Sequence, residues 1–222
     1  MILHLIAGQN ENDPFYQEFQ ISNVGRQYDF LLSAVSTSLQ VSKPFLSTHI
    51  VKALNYQAIT CLHTNAGEFR PCEVTVGNHI PPRFYLVQAW MDDFVNTVNL
   101  HLQSADPIVL AAFVLWRLNY IHPFINGNGR TARAACYFVL CLRLGKLLPG
   151  TKILPELLNQ AHDEYEVALR EADNNNRAPL ETLLQRLLQE QIASAEPPPA
   201  PTVRRFNKRI HKVRHALKNT SA

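Results

Sequence analysis

Two stretches near the middle of the chain read as buried helices: Ile108 to Leu118, apolar on nearly every face, and a second run from about Arg130 to Leu144. A helix without a polar face has nothing to offer water, so it belongs at the centre of a bundle rather than on its surface. Two in succession force the chain to fold around that pair. The first is preceded by Asp106-Pro107, a capping carboxylate and a proline at the first helical position, which predicts a helix over 107–120. The second stops near Gly145. Neither reaches the ~18 residues that cross a bilayer. What joins them is polar and glycine-rich, IHPFINGNGRTAR from Ile121 to Arg133.

Shorter helical patterns surround this pair. Val24, Tyr28, Leu31, Leu32 and Val35 predict an amphipathic helix over 23–39, and Ile50, Ala53, Leu54 and Ile59 predict another over 47–62. Trp90, Phe94 and Val98 fall at four-residue spacing and read as core packing. Beyond Pro155 come Leu157, Leu158, Ala161, Tyr165, Ala168 and Leu169, then Leu180, Leu183, Leu184, Leu187 and Leu188. One segment breaks the pattern. Gly67 to Val87 alternates Cys72, Val74 and Val76 around Gly77-Asn78 and two prolines, which reads as a short β-hairpin or extended flap.

An all-α fold with a hairpin flap follows, and 222 residues suit one compact domain with decorations. We divide it into a helical extension (1–46), a central domain (47–190) and a proline-rich linker with a basic tail (191–222). The linker, Glu196 to Pro201, reads EPPPAP, which no helix crosses. Charge is asymmetric: residues 197–222 hold seven Lys+Arg and no Asp+Glu, leaving 14 basic against 18 acidic in the rest. Any basic function, such as nucleic-acid binding, is therefore expected of the tail. Its Val203, Phe206, Ile210, Val213 and Leu217 form one stripe, so it could equally fold back on the domain or on a second copy. The four cysteines, Cys61, Cys72, Cys136 and Cys141, lack CxxC pairing and are expected as buried thiols. The start of the chain has no basic n-region or cleavage pattern, which together with the lack of a membrane span predicts a cytoplasmic protein.

The loop itself carries the chemistry. Gly127-Asn128-Gly129 lets peptide N–H groups converge where no side chain blocks approach, and the helix beginning there adds unpaired amides and a partial positive charge. That is a cradle for phosphate. Arg130 and Arg133, three apart, are expected to aim two guanidinium forks at a polyphosphate. His122, at the loop entrance, is the nearby side chain able to accept a proton near neutral pH. A base beside a phosphate cradle points to attack by a hydroxyl on phosphorus.

HPFINGNGRTAR resembles the signature of the Fic domain, HxFx(D/E)GNGRxxR, departing from it at one fixed position. The likeness extends over about Ser47 to Leu188, with GEFR and VGNHIPP similar to the family's flap and YEVALREAD to a later helix. It implies transfer of AMP from ATP, with Mg²⁺ or Mn²⁺, to a Ser, Thr or Tyr hydroxyl of a protein. His122 would be the base, and Phe124 would anchor the loop. Gly127, Asn128 and Gly129 would hold the α- and β-phosphates, with Arg130 and Arg133 along the phosphate chain. A flap including Glu68, Val74, Val76, Gly77, Asn78, His79 and Ile80 would add a strand to the target's extended segment.

Asn126 is the departure, standing where the family carries the Asp or Glu that helps hold Mg²⁺. A neutral amide is a poorer ligand for a hard cation, so metal binding through Asn126 is expected to be weak. The family's inhibitory pattern, (S/T)xxxE(G/N), whose glutamate pairs with the second arginine, is matched only in part by Ala7 to Asn12, with Glu11 as its glutamate. Otherwise a regulatory or antitoxin-like partner would be needed, and self-modification is a further expectation. Two rival readings remain open: another phosphotransfer on the same fold, including AMP removal, and a nucleotide-binding module without turnover.

Overall fold

The computed structural model describes residues 10–195. The proline run and the basic tail, with the expectations placed on them, lie outside the described residues. Eight α-helices make up the described part: α1 (Pro14–Ser38), α2 (Thr48–Ile59), α3 (Val87–His101), α4 (Pro107–Ile121), α5 (Asn128–Leu144), α6 (Leu154–Gln160), α7 (His162–Asp173) and α8 (Ala178–Ala193). A 3₁₀ turn, Phe84–Leu86, leads into α3.

Helices α4 and α5, buried over most of their faces, form the centre. Every residue of α5 from Thr131 to Leu142 is buried except Arg133. It packs on α4 along its length and is enclosed by α1, α2 and α6, while α3 and α8 cover α4. Asp106 caps α4 by accepting from the amides of Ile108 and Val109 at 2.8 and 3.1 Å. Gly145, at φ +68°, closes α5 in the left-handed region. Phe94 and Val98 are fully buried in the core, and Trp90 packs partly buried against it.

Elsewhere the outcome differs from the sequence pattern in instructive ways. Helix α1 starts nine residues earlier than the apolar stripe indicated, because Asp13-Pro14 supplies the same cap and proline as Asp106-Pro107. Its buried face is also rotated. Val24 is 50% exposed, whereas Asn23 and Gln27 are buried. Their amides donate to the carbonyls of Thr60 (2.8 Å) and Leu54 (2.9 Å), so α1 is fastened to α2 by side-chain hydrogen bonds as well as by apolar contact. The segment after Pro155 is two helices, broken at Ala161 where ψ turns to +35°.

The expected β-hairpin is not formed as a ladder. Among the described residues there is a single antiparallel bridge, Val76 with His79, around Gly77 at φ +55°. Pro81 and Pro82 explain why it goes no further: neither has an N–H to donate, so the returning arm cannot continue the pairing. Cysteine burial is corrected too. Cys136 and Cys141 lie in the core, but Cys61 and Cys72 are exposed thiols. No helix among the described residues is long and apolar enough to cross a membrane.

Candidate active site

Helix α4 ends at Ile121 because Pro123 follows His122 and cannot enter a helix. His122 takes up the turn as the helix cap, at φ +49° and ψ +59°. Its amide donates to the Leu118 carbonyl at 3.0 Å. Its own carbonyl accepts from Arg70 Nε at 2.9 Å. The Asn119 backbone lies close enough to the imidazole to favour its charged form. Burial pushes the imidazole down to about 4, opposed by the Asn119 carbonyl and assisted by the positive charge of Arg70 and by His79. At neutral pH the ring is therefore uncharged, the state a proton acceptor needs.

That shift has a consequence for stability. An unfolded histidine titrates near ~6.5, so at pH values between there and about 4 the unfolded chain binds a proton at His122 that the folded chain does not. The contribution of this site is whole above the ordinary value and is lost as pH falls towards about 4. Urea midpoints measured across pH 4–7 should fall less steeply in His122→Ala than in wild type. Parallel slopes would put the ring in water.

Beyond His122, the loop is held from inside. Phe124 is fully buried and meets the Phe69 ring at 5.6 Å between centroids. Asn128 closes the turn by both ends of its amide, accepting from the Phe124 N–H (2.9 Å) and donating to the Phe124 carbonyl (2.8 Å). Its side chain is thus spent on the loop, and only its peptide N–H is left for a ligand. Gly127 sits at φ +75°, and a Cβ there would lie 2.7 Å from Ile59 Cγ2 and 3.1 Å from Asn55 Nδ2. The first intrahelical bond of α5 runs from the Thr131 N–H to the Gly127 carbonyl at 2.9 Å. The amides of Asn128, Gly129 and Arg130 precede it and have no partner within the helix.

The two arginines diverge. Arg133 stays at this end: its Nη1 would be 3.3 Å from a Cβ on Gly129, and its Nη2 donates to Asn159 Oδ1 at 2.9 Å. Arg130 turns away, donating to the Ala58 carbonyl at 2.8 Å and to Asn126 Oδ1 at 3.0 Å. The two forks therefore take different partners, one on the loop and the end of α2, the other on α6.

Asn126 is engaged on both sides, since its Nδ2 donates to Glu11 Oε1 at 3.0 Å. Glu11 also lies 4.0 Å from His63 Nε2, which in turn is 3.0 Å from the Tyr16 hydroxyl. Of the partial inhibitory match, residues 7–9 lie outside the described residues. The glutamate meets Asn126 rather than the second arginine. A divalent ion fits this arrangement poorly: the Asn126 oxygen already faces a guanidinium, and no group of three His, Cys, Asp or Glu among the described residues could hold a metal.

Three positioning residues were not singled out from the sequence. Asn55, fully buried on α2, donates to the Asn126 carbonyl (2.9 Å) and Thr131 Oγ1 (3.3 Å) and accepts from the Gly67 N–H (3.0 Å). Arg70 is 2% exposed at the base of the flap. Asn159 receives Arg133. Only Arg70 had any signal, as part of GEFR, and nothing in that signal said it was buried. Of the flap positions, Glu68, Val76, Gly77, Asn78 and Ile80 are exposed and Val74 is half-buried. His79 turns inward, its Nε2 on the Tyr120 carbonyl at 2.8 Å, which sets the flap against the end of α4 beside His122.

Comparison with known proteins agrees with this geometry. Residues 45–140 match the model of the Fic/DOC family. Over 68 residues the chain is 44% identical to a protein named protein adenylyltransferase Fic from Drosophila persimilis, and 43% identical to the Drosophila virilis protein of the same name. The match covers 30% of this chain, but 13% and 14% of those longer relatives. Among solved structures, Fic-1 from C. elegans superimposes with a TM-score of 0.64 at 23% identity, over 77% of this chain and 49% of that one. A Fic domain containing signaling protein from Bacteroides thetaiotaomicron gives 0.64 at 23% identity, over 79% and 73%. IbpAFic2 in complex with adenylylated Cdc42 gives 0.52 at 19% identity, over 74% and 55%. Residues 45–140, with their glycine turn and capping histidine, thus form a domain of the Fic/DOC family, set in the helical frame that the solved Fic structures share.

Proposed function

We propose that this chain transfers AMP from ATP to a hydroxyl of a protein. The observation that carries the reading is the uncharged His122 at the mouth of the loop that also opens α5 with unpaired amides. The name borne by the fly relatives, protein adenylyltransferase, supports the reaction class. The IbpAFic2 complex with adenylylated Cdc42 illustrates a protein product.

In this reading the polyphosphate lies on the amides of Asn128, Gly129 and Arg130, with Arg133 at the same end of the helix. His122 takes the proton from the incoming hydroxyl. The oxygen attacks the α-phosphorus, the bond to the β-phosphate oxygen breaks, and pyrophosphate leaves with that electron pair. Fixed dipoles and a guanidinium are suited to a step governed by positioning and charge. Arg130 acts indirectly, bracing the loop through Ala58 and Asn126. A divalent cation bound to the phosphates of ATP would supply further charge neutralisation. The flap, set beside His122 by His79, is the surface on which the target segment is presented.

The test uses two isotopes. Incubation with α-³²P-ATP should label either the chain itself or a protein in a lysate, and γ-³²P-ATP should not. Label from γ-³²P-ATP alone would mean phosphoryl transfer. Calorimetric binding of ATP without either label would mean a nucleotide-binding module.

A further inference from the structure

Arg70 is a full-length cation buried to 2% exposure, and almost all of its fork is spent on main-chain oxygen. Nε donates to the His122 carbonyl at 2.9 Å and Nη1 to the Cys72 carbonyl at 2.9 Å, while Nη2 donates to the Pro82 carbonyl. Cys72 belongs to the outgoing arm of the flap and Pro82 to the returning arm. The Arg70 N–H adds a fourth contact, to the Pro123 carbonyl at 2.9 Å. Both carbonyls of the His122-Pro123 pair are thus held by one residue. Glu73 sits across the neck of the flap, 3.6 Å from Arg70 and 3.5 Å from Arg83.

A neck closed in this way matters because the flap has almost no pairing of its own. One bridge, Val76 with His79, joins its arms. Without the guanidinium, three carbonyls would lose their donor at a partly buried neck, and the two arms would lose the group they share. His122 would lose the contact opposite its ring, at a backbone angle that non-glycine residues seldom adopt. Arginine suits this task because its planar fork presents several donors in fixed directions, whereas a lysine ammonium is a single flexible point.

We propose that Arg70 is a positioning residue that locks the two arms of the flap to the His122 peptide, so that the surface presenting the target and the base that activates it are held as one unit. The proposal rests on the reading of His122 as the base. It assigns Arg70 to the transfer step and not to nucleotide binding, since none of its contacts reaches the α5 amides.

Arg70→Gln and Arg70→Lys test it by four measurements on the whole chain: rate of label transfer from α-³²P-ATP, calorimetric ATP affinity, the ring signals of His122 in an NMR titration, assigned by their loss in His122→Ala, and amide exchange. Arg70→Gln should lower kcat about 100-fold, as expected for a misplaced reacting group, and Arg70→Lys about tenfold, with ATP affinity unchanged in both. The His122 ring signals should move, and amide exchange should quicken within residues 71–83 but not in α4 or α5. Wild-type transfer by folded Arg70→Lys with unmoved His122 signals would overturn the proposal. So would a loss of ATP affinity equal to the loss of rate, or failure of both variants to fold, since either makes Arg70 a general structural residue. If wild type labels nothing while the His122 and flap readouts respond as stated, the transferase reading falls and the Arg70 link stands.

Discussion

His122→Ala should cut AMP transfer by about 10²- to 10⁴-fold, the range for removal of a positioned general base, while ATP still binds with near wild-type affinity. The structure separates these two effects. The groups proposed to face the phosphates belong to the start of α5, and the loop before it is fixed by Phe124, Asn128 and Asn55 through hydrogen bonds that do not use the imidazole. Arg70 grips the His122 carbonyl, which alanine keeps. The substitution therefore removes one acceptor from a frame that stays in place. A variant that transfers AMP within tenfold of wild type would remove His122 from the chemistry. One that loses ATP binding as well would show that the ring shapes the nucleotide site.

Much of this frame was legible from the residues alone, for reasons that differ from element to element. Helices α4 and α5 carry their own punctuation: an Asp-Pro start, a glycine stop, and an interior with no polar face to misassign. Asp13-Pro14 is the same punctuation, and it went unread because the residues that follow lack an apolar stripe. Periodicity also misplaced the buried face of α1. It counts Asn23 and Gln27 as water-facing, whereas each finds a carbonyl on or just beyond α2, and a buried amide is tolerated once it is paired.

The site divides along the same line. The glycine turn and the capping histidine are local, so their geometry is written within a few residues. The direction of a long side chain is not. Arg130 and Arg133 are three apart on one helix, yet one reaches back to the end of α2 and the other forward to α6, because the acceptors that draw them, Ala58 and Asn159, belong to different elements. Asn126 is a parallel case. Its identity marks a missing carboxylate, but its amide joining Glu11 to Arg130 depends on the turn ahead of α1, 115 residues away in sequence, lying against the loop.

Gly127→Ala and Gly129→Ala, two residues apart, should fail in different ways. At Gly127 the backbone is left-handed, and an added Cβ would lie 2.7 Å from Ile59 Cγ2 and 3.1 Å from Asn55 Nδ2. The conformation costs about 1–2 kcal/mol for an L-residue, and overpacking adds about 1–3 kcal/mol. For a chain of this size that lowers Tm by roughly 5–15 °C, and ATP binding goes with it because Asn55 and the loop must shift. At Gly129 the methyl would meet only the far end of Arg133, at 3.3 Å, and the position is already helical. Alanine there gains up to about 1 kcal/mol of helix propensity, so Tm should hold or rise. It would nonetheless stand among the amides proposed to face the phosphates, where displacing even one charge-assisted hydrogen bond of about 1.5–3 kcal/mol weakens ATP by roughly tenfold or more. A stable Gly129→Ala protein with undiminished ATP affinity would move the phosphates away from the start of α5, and the proposed reaction would lose its binding site.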